Sequence, residues 1–143
     1  MNNIIQNALQ TPDGTIIISR NVHDYAEHDG YFVDGGHDYC RYGFLPGCED
    51  KYTPLFLFEN DTFEKKKNNL VWGTYGKDGN QPLKWVKFID CTDEHLEAIL
   101  KHKNLTLKPL YKKVIKSIQL DRLLILRKEK INKIIDNVQS IPR

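Results

Sequence analysis

Along the first two-thirds of the chain, apolar residues come in short runs broken by turn-forming residues; along the last third they recur every three or four positions. Ile5–Gln10 and Thr15–Arg20 flank Thr11-Pro12-Asp13-Gly14. Pro presets φ there, Asp bonds its own backbone and Gly accepts a positive φ, so the tetrapeptide predicts a tight hairpin. Asp24–His28 and Tyr31–Asp34 flank Asp29-Gly30, a dipeptide favoured in two-residue hairpin turns, which predicts a second. Gly35-Gly36 allows a sharp change of direction, and Asp38–Tyr42 reads equally as a strand or a single helical turn. Pro46-Gly47 marks a loop, and Leu55–Phe58 reads as a short buried strand. Lys65-Lys66-Lys67 reads as an edge protector or a solvated loop. Leu70–Gly76 and Leu83–Ile89, separated by Lys77–Pro82, predict a third hairpin rich in aromatic residues.

From Thr92 the period is helical. Thr92 is an N-cap, Asp93 and Glu94 sit in the first turn near the positive end of the helix dipole, and Leu96, Ile99 and Leu100 form one face. A second helical region opens at Pro109 and carries apolar residues through Val138, as one long helix or two joined ones. Its apolar positions from Leu123 onward exceed what a chain end needs, so that segment is expected to fold back over the sheet or to pair with a second subunit. The resulting expectation is an α+β fold: an antiparallel sheet of hairpins over about residues 4–90, followed by C-terminal helices over about 93–138 that cover one face. Its 143 residues make a single domain, 1–143, with 40% hydrophobic and 28% charged residues, the composition of an ordinary globular chain.

Charge divides the chain. Residues 1–98 hold 9 Lys/Arg against 16 Asp/Glu, and residues 99–143 hold 12 against 3. The acidic, β-rich body (1–91) and the basic helical part (92–143) can clamp each other, cross in a dimer, or offer residues 101–133 to an acidic partner such as nucleic acid. Only Tyr111 interleaves those lysines, which favours a solvated helix face over a nucleic-acid surface. No window of about eighteen apolar residues exists and the N-terminus lacks the pattern of a signal peptide, so no membrane partner is expected and the location is intracellular. Cys40, Cys48 and Cys91 are an odd set in unlike contexts, as reduced thiols of a cytoplasm are.

The densest chemistry lies between Arg20 and Arg41. His23-Asp24, His28-Asp29 and His37-Asp38 are residue types that bind divalent metals or move protons. Neighbours on a strand point to opposite faces, however, so no pair is expected to present both groups to one ion, and no metal, cofactor or catalytic residue is assigned. A Cys₃His zinc site from His37, Cys40, Cys48 and Cys91 is disfavoured, because only one pair has a knuckle-like spacing. Arg20 and Arg41 match phosphates or carboxylates bidentately, with internal pairing to Asp24, Asp34 or Asp38 the stronger expectation. Trp72, Tyr75 and Trp85 are candidates to stack a nucleobase, though hairpin aromatics more often belong to a core.

The ordered series Thr11-Pro12-Asp13-Gly14-Thr15, Ser19-Arg20, His23-Asp24-Tyr25, Val33-Asp34-Gly35-Gly36, Asp38-Tyr39 with Arg41, Trp72-Gly73-Thr74-Tyr75-Gly76, Gln81-Pro82-Leu83 and Asp93–Leu100 resembles a family of small uncharacterised proteins of tailed bacteriophages and prophages. The resemblance spans most of residues 4–126. His37 and Cys40 depart from the family pattern, which argues against them as shared ligands, and the segment beyond Arg127 looks like an extension. The resemblance implies an accessory protein of the host bacterial cytoplasm. By analogy with other small phage proteins, it is expected to be a non-enzymatic inhibitor that counters a bacterial defence system, by binding a host effector or sequestering a nucleotide-type signal. The expected binding residues are Arg20, His23, Tyr25, Asp34, Asp38, Tyr39 and Arg41, with Trp72 and Tyr75 for stacking. A homo-oligomer through the C-terminal helices accompanies this reading. Two alternatives stand beside it: a metal-dependent hydrolase of nucleotides or nucleic acid with His23, Asp24 and Asp38 as ligands, and a small nucleic-acid-binding module using the basic helices.

Overall fold

The computed structural model of the chain describes residues 3–21, 24–101 and 107–139. They form an α+β fold of antiparallel hairpins followed by helices, divided into two compact units, Met1–Cys91 and Thr92–Arg143.

In the first unit, β1 (Ile4–Gln10) and β2 (Ile16–Ser19) form the hairpin that Pro12-Asp13-Gly14 predicts, with Asn7 opposite Ser19 and Gln10 opposite Ile16. The other edge of β1 is shared by two short strands, β6 (Thr53–Pro54) at its end and β7 (Leu57–Phe58) at its start. The second hairpin, β3 (Ala26–His28) and β4 (Tyr31–Asp34), is joined by β5 (Arg41–Phe44) into a three-stranded sheet. The open choice for residues 38–42 resolves into a turn followed by this strand. The third hairpin is β8 (Val71–Thr74) with β9 (Lys84–Lys87), followed by a 3₁₀ turn at Phe88–Asp90.

The β1–β2 hairpin is the middle layer, which is why Ile16-Ile17-Ile18 does not alternate with polar residues. Ala8, Ile16 and Ile18 pack with Leu55, Val71 and Trp85 on one side. Leu9 and Ile17 pack with Tyr31, Val33, Tyr52 and Phe56 on the other. A strand buried on both faces reads as a continuous apolar run.

Two polar residues of β1 brace the layers. Gln6 is 4% exposed. Its Nε2 donates to the Leu55 carbonyl at 2.9 Å and the Asn69 carbonyl at 2.8 Å, while its Oε1 accepts from Val71 N–H at 2.9 Å. Its side chain thereby does the work of a strand neighbour at the point where the register of β1 with β7 shifts. The lysine triplet departs from expectation. Phe63–Asn69 is a helix, α1, whose N-cap Thr62 accepts from Lys65 N–H, with Glu64 in its first turn and Lys67 buried rather than solvated. Capping and dipole complementarity outweigh what a row of like charges suggests.

In the second unit, α2 (Asp93–Leu100) starts where expected, with Thr92 Oγ1 accepting from His95 N–H at 3.1 Å. α3 (Pro109–Gln139) is one uninterrupted helix of 31 residues. Arg122 donates to Asp93 Oδ1 at 2.6 Å and Gln119 to Glu97 Oε1 at 2.7 Å, tying α3 to α2. No helix among the described residues is long and apolar enough to cross a membrane.

Candidate binding surface and the turns that build it

The double glycine is built into the core rather than into a site. Gly35 and Gly36 have φ of 101° and 57°, in the left-handed region. A Cβ on Gly35 would strike the Tyr39 backbone, and one on Gly36 the Asn21 backbone, so only glycine fits either position. Asn7, 1% exposed, donates through Nδ2 to the carbonyls of Asp34 (2.7 Å) and Tyr39 (3.2 Å). Ser19, equally buried, accepts from Gly36 N–H at 2.9 Å. Its neighbour His37 turns Nδ1 to the Ile4 carbonyl at 3.2 Å. The Gly35–Tyr39 turn is therefore clamped from β1 and β2 by two buried side chains.

What this clamp presents outward is the far face of β3–β4–β5. Tyr31 and Val33 face the core, so by strand alternation Phe32 and Asp34 face away from it. Across the sheet, Glu27 and Gly43 lie opposite Phe32, and Arg41 lies opposite Asp34. Tyr25 stacks on Phe32 with ring centroids 5.8 Å apart and planes 21° apart. The Arg41 guanidinium lies 6.0 Å from the centroid of the same ring. The Tyr39 hydroxyl reaches Asp34 Oδ2 at 3.4 Å, and the Tyr25 hydroxyl reaches Glu27 Oε2 at 3.1 Å. Partial burial and the Glu27 carboxylate raise the Tyr25 pKa, so this hydroxyl remains protonated and a donor.

Of the expected residues, the structure thus gathers Tyr25, Asp34, Tyr39 and Arg41 around Phe32, which sequence reasoning had not included. Its signal was present: a residue two before Asp34, on the same strand face. Asp38 is exposed on the turn, with its N–H bonded to the Gly35 carbonyl. His23 lies outside the described residues. Arg20 faces another way: its N–H bonds Asp24 Oδ2 at 2.8 Å, its Nε lies 3.5 Å from the same oxygen, and its guanidinium stands 5.6 Å from the Trp85 ring. The internal pair expected for Arg20 is the one formed. Trp72 packs against buried Phe88, and exposed Tyr75 follows the end of β8. Both belong to the β8–β9 hairpin rather than to the β3–β5 face.

At the edge of the same small sheet, a second group of rings was not read from the sequence. Tyr42 meets Phe56 at 4.3 Å and Tyr52 at 6.0 Å, and Phe44 meets Tyr52 at 6.1 Å. Tyr42 and Phe44 stay 44% and 39% exposed. The segment 45–56, outside the small sheet, supplies half of this cluster, so no local pattern announces it.

Among the described residues, one group of three side chains could hold a metal ion; the His23, Asp24 and Asp38 set of the hydrolase alternative includes His23, which lies outside them. His28 Nε2 lies 2.9 Å from Asp13 Oδ2 and 3.3 Å from Asp29 Oδ2. The expectation that a His-Asp neighbour pair splits across two faces fails here, because Asp29 is a turn residue with φ of 50° rather than a strand residue. Asp13 arrives from the first hairpin turn, where the Thr11 hydroxyl also bonds its carboxylate and Thr15 N–H donates to it at 3.0 Å. The Thr11 hydroxyl, His28 and the Thr15 N–H hold the Asp13 carboxyl far below the usual carboxylate range. The Asp13 hydrogen bond raises the His28 pKa above its ordinary value, against a smaller opposing effect of desolvation. A proton and a divalent cation compete for these three atoms; with the proton, the group pins two hairpin turns together. Beside it a cleft of about 330 Å³ runs between Asp13–Ile16 and Leu83–Trp85.

No protein-family model matches the chain, no curated protein is similar to it, and no solved structure matches it.

Proposed function

We propose that this chain is a non-enzymatic binding protein that docks a partner protein on the outer face of β3–β4–β5. One observation carries the reading: Tyr25 stacked on Phe32, with Arg41 over the same ring, on an open sheet face where Tyr25 is 52% exposed and Tyr39 44%. Tyrosine and arginine are the residue types that dominate binding hot spots, because each buries much area and still offers a directional polar group. The clamped turn fixes the backbone next to Asp34 and Tyr39, and the Phe32 ring and Glu27 hold Tyr25, which lowers the entropy cost of docking. The resemblance to small phage and prophage proteins makes the partner a host defence effector, and the chain its inhibitor in the bacterial cytoplasm.

Tagged wild-type chain, Tyr25→Ala and Arg41→Ala, each recovered from phage-infected bacteria, test this. One host protein is expected with the wild type, and its recovery falls roughly tenfold or more in both variants while they stay folded. Equal recovery with all three would sink the proposal, as would turnover of a nucleotide by the purified chain with manganese.

The cleft favours a second reading, sequestration of a nucleotide-type signal. Its volume of about 330 Å³ falls at the small end of ligand pockets, and Trp85, Lys84 and the nearby Arg20 offer a stacking ring and two cations. Calorimetry with cyclic mono- and dinucleotides on wild type and Trp85→Ala separates the readings: binding lost in Trp85→Ala supports the cleft, and no heat from either removes it.

A further inference from the structure

α3 carries two apolar stripes on roughly opposite sides of one helix. Val114, Ile115 and Ile118 make the first and are buried, at 0%, 0% and 2% exposure. With 3.6 residues per turn, the second stripe runs through Leu120, Leu124, Ile131, Ile134 and Val138, half a turn round from the first. Every one of these is at least 50% exposed. Their spacing alternates four and three once Arg127 is included, which is the seam of a two-stranded coiled coil rather than the broader face of a helix lying on a sheet. Leu123 and Ile135, 44% and 46% exposed, flank the seam on its two sides.

We infer that this seam pairs with the same seam of a second copy, antiparallel, forming a two-fold dimer. The area is sufficient. These seven half-exposed aliphatic side chains bury on the order of 500 Å² per copy, about 1,000 Å² for the pair, at the lower limit for a specific interface and in keeping with a dimer that dissociates on dilution. The seam is also self-complementary, since a stripe of Leu, Ile and Val finds in its own copy the surface it fits, related by a two-fold axis.

Arg127 sets the direction. In a parallel pair it would face the second copy's Arg127 inside a seam layer, two like charges removed from water. In an antiparallel pair each seam layer joins residues whose positions mirror one another about the middle of the seam: Leu120 meets Val138, Leu124 meets Ile134, and Arg127 meets Ile131. There the arginine stem packs and its guanidinium reaches solvent. Lys128 and Lys130 then approach their own copies only at the exposed rim, where repulsion is screened.

Light scattering across a dilution series of the full chain tests the dimer. The expected mass is twice 16.7 kDa at high concentration, falling towards 16.7 kDa on dilution. Leu124→Asp and Ile131→Asp are expected to lower the dimer's association constant roughly a hundredfold or more, as hot-spot losses do, while Ile125→Asp, off the seam and equally exposed, leaves it within about threefold. A wild type monomeric at every concentration overturns the inference, as does equal dissociation by Ile125→Asp. A monomer that pellets with phosphatidylserine vesicles overturns it too, assigning the stripe to a lipid surface. Direction is read by mixing Leu120→Cys and Val138→Cys chains with Cys40, Cys48 and Cys91 replaced by serine. Disulfides between the two chain types support the antiparallel pair; disulfides within each type overturn it.

Discussion

Asp29-Gly30 and Gly35-Gly36 sit at the two ends of β4, and each is bordered by a His-Asp pair, His28-Asp29 at one end and His37-Asp38 at the other. At the first, the turn brings His28 and Asp29 together and lets Asp13 reach them from another hairpin, while Leu45 N–H bonds the Gly30 carbonyl at 2.8 Å. At the second, buried Asn7 and Ser19 grip the backbone, His37 bonds the Ile4 carbonyl, and Asp38 projects from an exposed turn. Residue type does not distinguish the two; the density of backbone bonds does. Where the core fixes more of the main chain, polar side chains serve architecture, and where it fixes less they can meet one another.

The largest expected effect follows at the clamped turn. Gly36→Ala must move the Asn21 backbone and hold a left-handed φ, so it is expected to cost about 4 kcal/mol or more in urea unfolding. Gly14→Ala, also at positive φ but with open space around it, is expected to cost only about 1–2 kcal/mol. Equal losses would erase the contrast between clamped and free turns. Next in size, Asn7→Ala removes both bonds from a buried side chain to two partly buried carbonyls and is expected to cost about 2 kcal/mol with the slope against urea unchanged.

The smallest effect belongs to the Asp13–His28 contact between two turns and depends on pH. Asp13 is depressed below its ordinary 3.8, so its contribution is present above that pH and fades as pH falls through the native value. His28 is raised above 6.5, so its contribution is complete below 6.5 and fades as pH rises through the native value. Thermal melts should therefore show a shallow plateau of Tm between pH 3.8 and 6.5, and His28→Ala should remove the decline on its alkaline side. An unchanged decline in His28→Ala would assign it to another group.

Much of this architecture was legible in the sequence because it is local. Pro12-Asp13-Gly14, Asp29-Gly30 and Lys77–Pro82 mark three hairpins, and Thr92 marks α2, since turn and cap chemistry are decided within a few residues. Features that depend on distant partners were not legible. Gln6 and Asn7 read as ordinary strand positions until residues 34–39 and 55–71 come to meet them. Asp13 and His28 are 15 positions apart, and no spacing rule joins two turns of different hairpins. On the proposed binding face, Tyr25 and Arg41 are among the expected residues, while Phe32, the ring that both meet, was placed only as part of a strand. The misreading of α1 is different in kind: Thr62 and Glu64 gave a capping signal that three lysines obscured.

Arg41→Ala, measured for both stability and partner recovery, tests most directly the division between a structural turn and the binding surface it supports. Arg41 is exposed and contributes a cation above Phe32, so the account predicts unfolding free energy within about 1 kcal/mol of wild type together with recovery of the host partner reduced roughly tenfold or more. A variant that unfolds like Gly36→Ala, or one that stays folded and keeps its partner, would contradict it.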